Sequence, residues 1–152
     1  MSFTEIDPFV TNQERQHFLS RINEKEWYQH KSTVSGRLSP LQIKQIIFRG
    51  VDAALLKMDP NTTQDFHTDG VNLKRNTVII HPLTDNYAPF TSRQGQSSNP
   101  IIANTQASHA VFNNNNTRLN LQISFDVDYN DAIQDNSVVW NLLNRFYKEN
   151  NE

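Results

Sequence analysis

Two histidines and one aspartate are the side chains of this sequence best suited to metal chemistry. His67 and Asp69 are separated by one residue, and His109 follows about 40 residues later. In an extended strand, residues two apart point to the same face, so His67 and Asp69 can bind one ion together. Two imidazoles and one carboxylate bind Fe(II) while leaving coordination positions open for oxygen and a co-substrate. The spacing therefore predicts a non-haem iron site formed by His67, Asp69 and His109.

A basic residue follows the second histidine. Arg118 stands nine residues after His109 and opens a segment in which polar and apolar residues alternate. A guanidinium can hold a carboxylate through two parallel hydrogen bonds. In an ordinary sandwich the polar side of this strand would face solvent. In a jelly-roll enzyme the same side lines the pocket, where Arg118 and Asn120 would converge on the carboxylate of a ligand.

The stretch from Leu55 to Phe125 resembles the Fe(II)- and 2-oxoglutarate-dependent oxygenases, in particular their small prolyl-hydroxylase-like members. That family holds iron on His-X-Asp and a distant histidine, and it binds 2-oxoglutarate with a basic residue about ten positions further on. The resemblance implies that His67, Asp69 and His109 are the catalytic metal ligands and that Arg118 binds the co-substrate. It also implies a double-stranded β-helix and O2-dependent hydroxylation of a peptidyl (prolyl-like) or small-molecule C–H bond, with release of succinate and CO2.

Further cofactor-binding candidates lie on two predicted strands. Thr77 and His81 are four residues apart, so they share one face of a strand. Relatives carry a threonine and a tyrosine near the co-substrate on this strand, so His81 could replace the tyrosine as a hydrogen-bond donor. A buried structural histidine is the alternative. Asn120 completes this set of candidates.

Four other positions bear on the resemblance. Arg75 could bind substrate or anchor the loop after the metal motif, with a solvated charge as the alternative. Asn104 could support the second histidine. Met58 and Asn61 stand where relatives often place a tyrosine and a glycine. The usual tyrosine contact with the co-substrate is therefore not expected at Met58.

The rest of the chain must position these residues, and it reads as a mostly β fold with flanking helices. A capping-box pattern at Thr11 predicts one helix, Ser39-Pro40 followed by Gly50 predicts a second, and Ser137 predicts a third ending near Lys148. Strands are predicted where short apolar or alternating runs occur, at Ala53–Met58, Thr77–Leu83, Pro100–Gln106 and Arg118–Asp126. Strands that follow strands indicate an antiparallel jelly roll.

These elements predict a single oxygenase-like domain over residues 1–152. It would comprise N-terminal helices at about 8–50, a β-core at about 51–128 and a C-terminal helix at about 137–148. At 152 residues the chain is long enough for one core and too short for two domains.

Composition narrows the classes of partner and compartment. A net charge of −2 without a basic cluster argues against nucleic-acid binding, and no apolar stretch approaches the length of a membrane span. The expected partner is a peptide or a small-molecule substrate, and the sequence does not indicate an oligomeric state. The lack of cysteine fits a reducing cytoplasm, and the first residues lack the pattern of a signal peptide.

Two other function classes fit parts of this pattern. A cupin-type jelly roll would bind a metal without 2-oxoglutarate, but it would usually carry more histidines in its first motif and would leave Arg118 without a role. A non-catalytic relative would keep the jelly roll as a binding or structural module. The leading prediction is an enzyme that uses Fe(II), 2-oxoglutarate and O2.

Overall fold

The computed structural model describes residues 2–31, 38–69 and 76–151. Strands dominate these residues, and three helices accompany them. The strands are β1 (Phe3–Glu5), β2 (Tyr28–Lys31), β3 (Leu38–Phe48), β4 (Val51–Met58), β5 (Thr63–His67), β6 (Thr77–Pro82), β7 (Phe90–Ser92), β8 (Gly95–Ser97), β9 (Ile101–Asn104), β10 (His109–Phe112) and β11 (Arg118–Phe125). The helices are α1 (Asn12–Leu19), α2 (Tyr129–Ala132) and α3 (Val138–Asn150).

The described strands form two antiparallel sheets. The large sheet has the order β1-β9-β6-β11-β4-β3-β2, and the small sheet has the order β5-β10-β7-β8. Strands that are adjacent in sequence are often in different sheets, as β4 and β5 are. Such exchange between two facing sheets is the pattern of a jelly roll, so the predicted fold class is confirmed.

The two faces of the large sheet have different neighbours. On β11, Leu119, Leu121 and Ile123 join the main apolar cluster, which also contains Leu143 and Phe146 of α3. Burial of the apolar stripe of α3 and of this sheet face accounts for the largest part of the core. The opposite face of the large sheet packs on the small sheet, through Val78 and Ile80 against Phe90 and through Met58 against Val111.

Several predicted elements are confirmed. Thr11 caps α1, and its hydroxyl and the carboxylate of Glu14 make both hydrogen bonds of a capping box. Ser137 caps α3 by accepting a hydrogen bond from the backbone N–H of Trp140. The four predicted strands correspond to β4, β6, β9 and β11, with small differences at their ends. None of the helices in the described parts of the chain has the length and apolar character needed to cross a membrane.

The helix predicted from Ser39 to Gly50 is wrong, because these residues form β3 and the turn after it. One face of the strand is buried at Ile46 and Phe48, whereas on the other face Ile43 is buried and Ile47 is exposed. Ile43, Ile46 and Ile47 have the i, i+3, i+4 spacing that also marks one face of a helix. The structure therefore replaces the predicted N-terminal helices at about 8–50 with one helix, α1, and two strands within the described residues.

Gly50 belongs to a hairpin turn. Phe48 and Val51 are paired across the turn, and the two residues between them, Arg49 and Gly50, have φ values of 48° and 82°. Two consecutive left-handed residues form the tight turn that suits the twist of paired strands. Glycine adopts such a φ without strain, so Gly50 ends a strand as readily as it ends a helix.

Candidate metal centre

The three predicted metal ligands come together between the sheets. His67 is the last residue of β5, His109 is the first residue of β10, and their Cα atoms are paired across the two strands. Asp69 follows β5 and is held by a hydrogen bond of 2.9 Å from its backbone N–H to the carbonyl oxygen of Thr105. The antiparallel pairing of β5 and β10 thus brings together two candidate ligands that are far apart in sequence.

The donor atoms of this group are close enough to contact one ion. The Nε2 atoms of His67 and His109 lie 3.7 Å and 3.6 Å from Oδ1 of Asp69. One ligand atom from each residue lies within 4.8 Å of the other two. Two donors that are each about 2.1 Å from one ion can be up to about 4 Å apart. The arrangement therefore fits a metal ion with only small adjustments of the side chains.

Backbone carbonyls fix both imidazole rings in the same way. Nδ1 of His67 lies 2.7 Å from the carbonyl oxygen of Asp65, and Nδ1 of His109 lies 2.7 Å from that of Ala107. A carbonyl oxygen only accepts hydrogen bonds, so each Nδ1 carries the proton and donates it. Each Nε2 atom is then left with the lone pair that a metal requires.

A buried cation, Arg118, lies on the face of the large sheet that is turned toward the metal group. Arg118 has a relative exposure of 5%, and its Nε donates to the carbonyl oxygen of Ala88 at 3.0 Å. Its Nη1 donates to Oδ1 of Asn120 at 3.3 Å. Burial lowers the pKa of the Arg118 guanidinium, although nearby Tyr87 partly opposes this change. Within the described residues no carboxylate forms an ion pair with Arg118, and a buried charge without a counterion is costly.

Tyr87 stacks under this guanidinium and was not predicted from the sequence. The Cζ atom of Arg118 lies 4.0 Å from the centre of the Tyr87 ring. The Tyr87 hydroxyl is buried and has no hydrogen-bond partner among the residues that the structure describes, and burial raises its pKa to about 12. The sequence did contain one indication of this residue, because Tyr87 is the one tyrosine between the candidate ligands His67 and His109. The guanidinium and the phenol together can donate several hydrogen bonds to a carboxylate.

Strand register gives the offset between the metal group and Arg118 along the strand direction. Arg118 is paired with Met58 of β4, and Met58 packs against Val111 of β10. Val111 is in turn paired with Gln64, three residues before His67 on β5. Two to three residues along a strand cover about 7 to 10 Å. Along the strand direction, this offset is comparable to the length of a short dicarboxylate.

The structure does not bring Thr77 and His81 to this site. Both lie on the helix-covered face of the large sheet, where Ile79 between them joins the main apolar cluster. The Thr77 hydroxyl donates to the carbonyl oxygen of Val127 at 2.7 Å, and Nε2 of His81 accepts from the backbone N–H of Phe9 at 3.2 Å. This placement corrects the expectation that the two side chains share a pocket with the metal group, because strand alternation directs them away from it.

Of the two remaining candidates, Asn104 caps a turn and Arg75 lies outside the described residues. Oδ1 of Asn104 accepts a hydrogen bond from the backbone N–H of Gln106 at 3.0 Å. Asn120 differs, because it is 2% exposed and contacts Arg118 directly. The structure thus places Asn120 with the buried cation and gives Asn104 a structural role.

His81 gives a testable pH dependence of stability. Burial lowers its pKa to about 4, although its hydrogen bond to the Pro82 carbonyl oxygen opposes this. An unfolded histidine has a pKa of about 6.5, so the contribution of neutral His81 is present above that pH and is lost as the pH falls toward 4. We expect this loss to be about 3 kcal/mol in the free energy of unfolding. Urea titrations from pH 7 to pH 4.5 would measure it.

The control for this prediction is His81→Gln, whose side-chain oxygen can still accept from the backbone N–H of Phe9. We expect the variant to be less stable at pH 7 but to show a flatter dependence between pH 6.5 and 4.5. Equal slopes for the two proteins would show that His81 does not cause the acid sensitivity.

Comparison with known proteins supports the fold. No protein-family profile and no curated sequence relative matches this chain. A prolyl-4-hydroxylase from Pseudomonas putida superposes with a TM-score of 0.60 at 12% identity, covering 80% of this chain and 90% of the other. An oxidoreductase of the 2OG-Fe(II) oxygenase family from Burkholderia pseudomallei superposes with a TM-score of 0.53 at 9% identity, covering 79% and 82%. At these identities the likeness establishes a shared jelly-roll fold.

Proposed function

We propose that this protein is a Fe(II)- and 2-oxoglutarate-dependent oxygenase that hydroxylates a C–H bond of a peptidyl, prolyl-like residue or of a small molecule. The observation that carries the proposal is the combination of the His67–Asp69–His109 group with the buried Arg118, which forms no ion pair within the described residues. A metal site alone would suit many jelly-roll proteins. A buried cation within reach of the metal site suits a co-substrate with a second carboxylate.

The donor set fits iron. Two neutral imidazoles and one carboxylate would occupy one side of the ion and leave several coordination positions open on the other, as non-haem Fe(II) oxygenases require. When bound, iron and 2-oxoglutarate would supply the oxidation, in which O2, 2-oxoglutarate and a C–H bond yield succinate, CO2 and an alcohol. The protein's own residues would bind and orient the reactants and exclude water.

Arg118 and Tyr87 would hold the far carboxylate of 2-oxoglutarate. The carboxylate would give the guanidinium a counterion and the Tyr87 hydroxyl a hydrogen-bond partner, neither of which the described part of the chain supplies. Buried Met58 is paired with Arg118, and Val111 of the same apolar cluster is two residues from His109, so the middle of the co-substrate would pass an apolar wall. Charge-assisted hydrogen bonds are strong in such a dry environment.

The open side of the metal group gives the direction from which substrate would enter. The His109 side chain is 10% exposed, whereas those of His67 and Asp69 are 31% and 32% exposed. Solvent therefore reaches the group past His67 and Asp69. Of the two proteins with the same fold, the name of one suggests a 2-oxoglutarate-dependent oxygenation, and the name of the other suggests hydroxylation of a prolyl residue.

The test is Fe(II)-dependent succinate formation from 2-oxoglutarate in air, measured for the wild type and for Arg118→Met. Methionine has a similar length but no charge. We expect the variant to need roughly 100-fold more 2-oxoglutarate, which corresponds to about 2.7 kcal/mol, because the carboxylate loses its cation and its hydrogen bonds. Anaerobic binding of 2-oxoglutarate to the Mn(II)-loaded proteins would give the same ratio without turnover.

Arg93→Met is the matched control, because Arg93 is exposed and its guanidinium stacks on Phe66 at 3.8 Å. We expect its 2-oxoglutarate requirement to equal that of the wild type. If Arg118→Met also left this requirement unchanged, the co-substrate would not use Arg118. No succinate and no 2-oxoglutarate binding by the metal-loaded wild type would favour a cupin-type protein or a non-catalytic relative.

A further inference from the structure

The ring of Phe90 lies against the imidazole of His109. Their centroids are 5.3 Å apart and their planes differ by 18°, which is a stacked arrangement. The position follows from the register, because His109 is paired with Ser92 of β7, and Phe90 is two residues before Ser92. Residues two apart on a strand share a face, so Phe90 is the diagonal neighbour of His109.

Phe90 is itself held on its other sides. It is 4% exposed and packs in an apolar cluster with Val78, Ile101 and Ala103 of the large sheet. Phe3 of β1 contacts it edge to face, with a centroid separation of 6.0 Å and an interplanar angle of 83°. Edge-to-face and stacked contacts restrict the position of a ring as well as burying it. The rotation of the His109 ring is therefore limited by a series of contacts that begins in β1.

The other histidine depends on His109. The ring of His67 contacts that of His109 edge to face at 4.4 Å, and the His67 side chain is 31% exposed. Among the described residues, the aromatic ring that contacts His67 is therefore the ring of His109, which Phe90 supports. Displacement of His109 would be transmitted to His67.

We propose that Phe90 is a positioning residue of the metal centre and that Phe3 supports it in this role. The inference rests on the proposed function only in requiring that the group binds a divalent metal. Phe90 does not bind the metal; it sets the angle at which the Nε2 lone pair of His109 meets the ion. Groups that orient metal ligands commonly change metal affinity by about 10- to 100-fold when they are replaced.

The experiment compares the wild type, Phe90→Leu and Phe3→Leu in two measurements. The first is the affinity for Mn(II) without 2-oxoglutarate, and the second is the visible absorption spectrum of the Co(II)-loaded proteins. Leucine keeps the site apolar but removes the ring. We expect Phe90→Leu to weaken Mn(II) binding by about tenfold or more and to change the Co(II) spectrum even when the site is saturated. Phe3→Leu should give a smaller change in the same direction.

Two variants separate positioning from loss of packing. Phe18→Leu removes a ring that is equally well buried on the opposite side of the large sheet, in the helix-side cluster. It should lower the melting temperature and leave both metal readouts unchanged. Phe90→Tyr keeps the ring and should restore the wild-type spectrum.

Each outcome decides the inference. Wild-type affinity and an unchanged spectrum in Phe90→Leu would overturn it while leaving the oxygenase proposal intact. Equal weakening in Phe18→Leu and Phe90→Leu would also overturn it, because general loss of stability would then explain both. Failure of the wild type to bind Mn(II) or Co(II) would overturn the metal centre as a whole. If Phe90→Leu did not fold, the Phe3→Leu result would decide.

Discussion

Replacing Asp69 with alanine is expected to abolish metal binding and Fe(II)-dependent succinate formation. The variant would keep the two histidines but lose the one anionic ligand, which lies within 3.7 Å of both Nε2 atoms. Two neutral ligands neither neutralise the ion nor define three positions around it. We expect a loss of well over 100-fold, beyond the roughly 10- to 100-fold typical of groups that only orient a ligand. Mn(II) titration and succinate measurement would check the two parts separately.

The fold should survive this change. The backbone N–H of Asp69 would still donate to the carbonyl oxygen of Thr105, and the lost carboxylate is partly exposed. We therefore expect the melting temperature without metal to be close to that of the wild type, whereas added Mn(II) should raise it only in the wild type. Asp52→Ala removes an exposed carboxylate of β4 and should match the wild type in all readouts. Metal-dependent succinate formation by Asp69→Ala would contradict the assigned ligand set.

Arg49→Ala is expected to lower the free energy of unfolding by about 3 kcal/mol. The guanidinium is 15% exposed and lies between α1 and α3, where it pairs with Glu14 at 2.7 Å and donates to the carbonyl oxygens of Phe9 and Phe146. It also pairs with Glu149 at 3.3 Å. The hydrogen bond with Glu14 has the largest effect on the pKa of Arg49, which it raises, and the pairing with Glu149 raises it further. Removing the guanidinium leaves partly buried acceptors without a donor, which is costly.

Urea unfolding at pH 7 would measure this loss. The control is Arg145→Ala, because Arg145 also pairs with Glu149 but its side chain is 47% exposed. Exposed pairs contribute about 0 to 1 kcal/mol, so the control should change stability little. Arg49→Lys should recover only part of the loss, since one ammonium group cannot reproduce the planar set of donors. A loss below about 1 kcal/mol for Arg49→Ala would show that the contacts of Arg49 do not stabilise the packing of the helices.

The part of the site that could be predicted from the sequence is the part that follows strand periodicity. One intervening residue places His67 and Asp69 on the same side of the chain, and alternation along β11 places Arg118 and Asn120 together. The structure bears out both placements. The role of a polar face could not be predicted from alternation alone, because that depends on what the other sheet covers.

Three features could not be predicted, for three physical reasons. Thr77 and His81 share a face, but their periodicity does not tell which face, and a shift of one residue reverses it. The apolar residues of β3 do not alternate regularly, and Ile43, Ile46 and Ile47 have helical spacing, so periodicity did not distinguish a strand from a helix. Tyr87 reaches Arg118 from a loop before β7, and loop geometry follows from tertiary packing. Long-range contacts of this kind leave little trace in local sequence.

The alternation of β11 has a consequence for how this protein can evolve. Leu119, Leu121 and Ile123 belong to the main apolar cluster, whereas Arg118 and Asn120 on the other face are the residues that we propose for ligand binding. Substitutions at alternate positions of one strand are thus subject to two nearly independent selections. Substitutions at every second residue could therefore change the ligand that the protein recognises with little effect on its free energy of unfolding, which is small in most proteins.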